Sequence, residues 1–97
     1  MKAYWIAHVD VLDPVQYALY TQSAPAVFAA HGGRLLARGG QSQAMEGRPT
    51  PQRSVVIEFE SYERALACYK SEEYQQACAL RAGAANAEVI IVEGYEP

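Results

Sequence analysis

The chain predicts an α+β fold in the order β-α-β-β-α-β. Three observations carry it: four segments alternate or run apolar as strands do, two helical segments stand between them, and capping residues or glycines mark the boundaries. At 97 residues and 10.6 kDa there is room for one hydrophobic core and too little for two, so residues 1–97 are expected to form a single domain.

From Lys2 to Asp10 the side chains alternate, Ala3, Trp5, Ala7 and Val9 on one face and Tyr4, Ile6, His8 and Asp10 on the other, which predicts the first strand. Asp13-Pro14-Val15-Gln16 then predicts a helix start: Asp caps, proline suits the first helical position, and Gln16 can reach back to the cap. The helix is expected from residue 14 to about residue 31, kinked or restarted at Pro25 and closed by His31-Gly32-Gly33.

Arg34 to Arg38 predicts a short second strand, with Leu35 and Ala37 on one face and Arg34, Leu36 and Arg38 on the other. Gly47, Pro49 and Pro51 exclude regular structure across 41–52, which is expected to be an exposed arm or rim loop. Arg53 to Glu60 alternates again, Val55, Ile57 and Phe59 against Ser54, Val56, Glu58 and Glu60, and predicts the third strand.

Ser61 caps the second helical segment, whose inward stripe is read as Leu66, Tyr69 and Ala65. Ser71-Glu72-Glu73 is a second cap that restarts it at a different angle. Tyr74, Ala77, Cys78 and Arg81 share one helical face, and Gly83 and Asn86 mark the end. The β-branched run from Val89 to Val92 predicts a last strand over 88–93, buried on both faces and stopped at Gly94.

This order is the split, ferredoxin-like arrangement: one four-stranded antiparallel sheet with both helical segments on a single face. The opposite face would expose Tyr4, Ile6, Leu36, Val56 and part of Val89 to Val92, a large apolar patch for so small a protein. A second copy pressing its own sheet against the first would cover it, forming a homodimer with an enclosed space between the sheets.

Composition narrows the function. Apolar residues make up 51% and charged residues 20%, with a net charge of −3 and a pI near 5.3. No basic field exists to hold nucleic acid, and no apolar run is long enough to cross a bilayer. Cys68 and Cys78 are too few for a disulfide framework and match no zinc spacing, so both are expected as free, apolar core thiols. With no apolar leader ahead of the first strand, the protein is expected in the cytoplasm. His8 and His31 form no metal-binding spacing with the carboxylates, so no metal is expected. The pairs Gly32-Gly33 and Gly39-Gly40 bracket a strand instead of opening a helix, the wrong geometry for a phosphate cradle, and no cofactor is expected.

The runs HGGRLLARGG (His31 to Gly40) and RSVVIEF (Arg53 to Phe59), the pair Glu46-Gly47, SEEY (Ser71 to Tyr74), Arg81 and Glu93-Gly94 resemble the family catalogued as domain of unknown function 1330. Cys68 departs from it, standing where the family pattern has an aromatic residue. The resemblance covers nearly the whole chain and implies membership of the dimeric α/β-barrel superfamily. That superfamily includes cofactor-free monooxygenases, isomerases and dye- or haem-handling proteins, none of whose activities follows from the fold alone.

Strand alternation sends Tyr4, His8, Arg38 and Glu58 to the dimer-facing side, where they are expected to line a shared cavity, with Tyr17 and Tyr20 at its mouth. Arginine offers a planar fork for a carboxylate or enolate, and His8 or Glu58 could move a proton. The structural alternative is an Arg38–Glu58 ion pair that sets strand register. Arg81 could anchor an anion or pair with an acidic residue at the rim, and the ion pair is the favoured expectation. The leading expectation is thus a homodimer binding a small anionic or aromatic metabolite between its sheets. The alternatives are a cofactor-independent enzyme using Glu58 or His8, and a structural or accessory dimer.

Overall fold

The computed structural model describes Met1–Pro97 as β1 (Ala3–Val11), α1 (Pro14–Ala30), β2 (Arg34–Arg38), β3 (Arg53–Phe59), α2 (Tyr62–Lys70), α3 (Glu72–Ala79) and β4 (Ala85–Glu93). The strands form one antiparallel sheet in the order β2-β3-β1-β4. All three helices pack on its Trp5 face, so the fold is α+β as the sequence predicts.

The helix count differs from the expected two. Ser71 takes an extended conformation (φ −64°, ψ 150°) that ends α2, and its Oγ accepts from the Tyr74 amide at 3.1 Å to start α3. One serine thus stops one helix and caps the next. α1 runs unbroken through Pro25, so the proline removes a donor without dividing the helix. Asp13 accepts from the Gln16 amide at 3.1 Å as a cap should, but the Gln16 side chain turns away and donates to the Leu80 carbonyl at 2.8 Å. At the other end Gly32, at φ +78°, and Gly33 donate back to Ala29 and Phe28.

β4 begins at Ala85, three residues before the expected Glu88, because pairing with β1 continues to Val11↔Ala85. It is an edge strand with one covered side. Val89 and Ile91 are half-buried under the helices, whereas Ile90 and Val92 lie on the open face, 60% and 45% exposed. Burial on both faces is therefore not found within one protomer.

Trp5 centres the core. Its indole meets Phe28, Phe59, Tyr69 and Tyr74 with ring centroids 4.8–6.2 Å apart, joining β1 to a helix or strand on every side. Ala65 and Cys68, both fully buried, are the inward residues of α2; Tyr69 stays partly exposed at the edge of Trp5, and Leu66 is half-buried. Small side chains let α2 lie close to the sheet, which is why a cysteine serves at position 68.

Candidate functional site

The open face of the sheet holds three of the expected site residues, bringing Tyr4 and Glu58 together and leaving His8 apart. Tyr4 lies opposite Glu58 and His8 opposite Ser54, so His8 stands four residues, roughly 13 Å, along the strand from Tyr4. Glu58 accepts from the Tyr4 hydroxyl at 3.4 Å and from Arg34 at 3.2 Å, with Lys2 at 4.0 Å. His8 Nδ1 meets the Ser54 hydroxyl at 2.9 Å. The expected Arg38–Glu58 pair is replaced by Arg34–Glu58.

Arg38 is the correction. The register runs Arg34↔Glu58 and Leu35↔Ile57, then Ala37↔Val56 and Arg38↔Val55, so a β-bulge at Leu36 inserts one residue. Every side chain after the bulge changes face. Ala37 turns to the open side, and Arg38 turns to the helix side, among residues that also surround Tyr17 and Tyr20.

On that side a cleft runs between α1 and the sheet. It holds about 550 Å³ of empty space counted out to its mouth, of which only a small part lies free inside. Twelve of its 17 lining residues are hydrophobic, Trp5, Phe28, Val55 and Val89 among them, and its charged residues are Arg38, Arg53 and Arg81 with no carboxylate. None of the three arginines forms an ion pair; those present involve Lys2, Arg34 and Arg48. The expected ion pair of Arg81 is therefore not found. Its guanidinium instead lies over the Tyr20 ring at 5.1 Å, as Arg53 lies over Tyr17 at 5.9 Å. The two tyrosine rings are 5.6 Å apart, so they link two of the cations along one side of the cleft.

Tyr20 and Tyr74 share a hydroxyl–hydroxyl hydrogen bond of 2.9 Å, and burial pushes both phenols above the ordinary tyrosine range. They stay protonated at neutral pH, as donors and not bases. Burial, with a contribution from Glu73, pushes the Cys68 thiol up to about 11, so this cysteine is no nucleophile. Cys78 is also free.

A second hollow, polar and about 1460 Å³ counted in the same way out to its mouth, opens where the 41–52 arm folds against the ends of β1 and β4. Gln52 fastens the arm, its amide donating to Asp10 Oδ1 and its Oε1 accepting from the Val11 amide, each at 2.9 Å, while Arg48 pairs with Glu88. No group of three or more histidine, cysteine or acidic side chains is placed to hold a metal ion. No helix is long and apolar enough to cross a membrane.

Sequence reasoning thus found Tyr17, Tyr20 and Arg38, which share the cleft, and Tyr4, His8 and Glu58, which lie on the other face. It missed Arg53. The signal was present: Arg53 is in phase with Val55 and Ile57, and a charged residue in phase with a buried face is worth explaining.

Solved structures of similar fold include a protein of unknown function from Rhodopseudomonas palustris (17% identity, TM-score 0.76, covering 99% of this chain and 84% of that one). A dimeric ferredoxin-like protein of unknown function from Bacteroides fragilis is similar at 12% identity and TM-score 0.65, covering 96% of each chain. SnoaB, a cofactor-independent oxygenase from Streptomyces nogalater, is similar at 9% identity and TM-score 0.66, covering 99% of this chain and 95% of that one. No curated protein matches the sequence. One sequence family, described as Domain of unknown function (DUF1330), matches residues 2–95. The chain belongs to the DUF1330 family.

Proposed function

We propose that the chain binds a small, flat, anionic metabolite with an apolar body in the cleft between α1 and the sheet. One observation carries the reading: three arginines line an otherwise apolar cleft that contains no carboxylate. Cations left without a carboxylate partner in such a place favour a ligand that brings the negative charge. The leading expectation of an anionic or aromatic ligand is thereby kept, and its location moves from between two sheets to within one protomer. Trp5 is the only tryptophan and lines the cleft, so its fluorescence reports occupancy. Titration with planar acids such as benzoate and naphthoate, and with their neutral amides, tests the proposal. Saturable quenching by the acids and none by the amides is expected; no response to any planar anion would reject it.

The cleft favours binding over proton abstraction. Its lining has no aspartate, glutamate or histidine, and Glu58 and His8 are on the other face of the sheet. An oxygenase activity of the kind named for SnoaB would need the substrate to arrive ionised, with the arginines stabilising the anion.

The open sheet face supports the proposed homodimer. Leu36, Ile90 and Val92 are 45–60% exposed there beside half-buried Ile6 and Val56, and a similar structure from Bacteroides fragilis is dimeric. The two free cysteines suit the reducing cytoplasm proposed as its location.

A further inference from the structure

We infer that Arg53 anchors the ligand and selects a planar, conjugated carboxylate, with Gly39 as the residue that positions Arg53. The inference rests on the cleft being the binding site proposed above.

Three observations meet at this arginine. Its Nε is shielded from water and has no hydrogen-bond acceptor, the one such side-chain atom in the protein. A buried donor without an acceptor is costly, and an entering oxygen in the cleft is what would satisfy it. Gly39 adopts φ +74°, and a Cβ there would sit 3.4 Å from Cζ and Nη2 and 3.6 Å from Nε of Arg53. These near-equal distances place the flat side of the guanidinium next to position 39, where a side chain would just touch it. The Tyr17 ring lies 5.9 Å from the same Cζ. Held in this way, the guanidinium has its in-plane N–H groups left to offer.

Those N–H groups meet a carboxylate edge to edge, by two parallel N–H···O bonds in a common plane. When the carboxylate is conjugated to a ring or double bond, the rest of the ligand continues in that plane. The cleft has little free volume among its apolar lining residues, so a body that stays in the plane of the guanidinium needs the least room. A tetrahedral oxyanion cannot present two oxygens coplanar with its own bulk. Gly39 matters because its positive φ is one that residues with a side chain rarely adopt, so a substitution there shifts the backbone beside Arg53.

The probes are benzoate, cyclohexanecarboxylate (the same acid on a puckered ring) and phenylphosphonate, read by Trp5 fluorescence and by calorimetry. Benzoate is expected to bind about tenfold or more tightly than either of the others. Arg53→Lys, Arg53→Gln and Gly39→Ala are each expected to weaken benzoate about tenfold or more, at unchanged far-ultraviolet circular dichroism. Arg34→Lys, on the other face, leaves binding as in the wild type. Benzoate binding that survives both Arg53 substitutions overturns the anchor while leaving the cleft reading intact. Equal affinity for cyclohexanecarboxylate overturns the planar selection. If no planar anion alters Trp5 emission, the cleft reading itself fails, and this inference with it.

Discussion

The Tyr20 hydroxyl on α1 and the Tyr74 hydroxyl on α3 are hydrogen-bonded to each other at 2.9 Å, their rings edge to face with centroids 6.3 Å apart. This contact ties two helices that are far apart in sequence and places Tyr20 beneath Arg81 at the cleft. Removing either hydroxyl leaves the other without this partner. Tyr74→Phe, whose site is fully buried, is expected to cost about 1–3 kcal/mol in urea denaturation, and the double change to phenylalanine less than the two single costs added. Additive losses would show that the hydroxyls act independently.

Trp5 touches four aromatic rings and is 1% exposed. Trp5→Ala should cost about 3–5 kcal/mol, enough to leave a protein of this size largely unfolded or loosely packed. Thermal melts followed by near-ultraviolet circular dichroism check it, and a variant melting within a few degrees of the wild type contradicts the central place given to this ring.

Glu58 is a partner of Tyr4, Arg34 and Lys2 on the open face, remote from the arginines of the cleft. Glu58→Gln is therefore expected to leave binding of planar acids unchanged within about twofold, while lowering stability by about 1 kcal/mol or less. A large loss of binding at constant stability would return Glu58 to the site.

Alkaline pH should weaken the fold in a defined direction. Burial first, and Glu73 second, hold the Cys68 thiol up to about 11, and burial holds the Tyr74 phenol above its usual range. Both are acids with raised values, so above the unfolded thiol value of roughly 8.5 the unfolded chain releases a proton that the folded chain keeps. Stability is then complete below that pH and falls as pH rises towards about 11, with Tyr74 adding to the loss above roughly pH 10. Urea midpoints across pH 7 to 11 measure this. Cys68→Ala should flatten the first part of the decline, and an unchanged slope would remove the thiol as its cause.

If two copies share the open sheet face, a charge on it must separate them. Light scattering at micromolar concentration is expected to give a dimer for the wild type and a monomer for Ile90→Lys, because an unpaired ammonium buried between sheets is strongly unfavourable. A monomeric wild type would leave Ile90, Val92 and Leu36 wet and the dimer proposal without basis.

Strand periodicity, capping residues and turn glycines are local properties, so the number of strands, the helix starts at Asp13, Ser61 and Ser71, and the faces of β1 and β3 were all legible in the sequence. Alternation holds only while each residue of a strand faces one residue of its neighbour. In β2 it does not: the bulge at Leu36 exists only in the pairing with β3, and that pairing sent Arg38 to the helix side. The site is non-local in the same way. Arg38, Arg53 and Arg81 come from β2, β3 and the turn after α3, and only the packing of α1 over the sheet gathers them around one apolar cleft without a carboxylate.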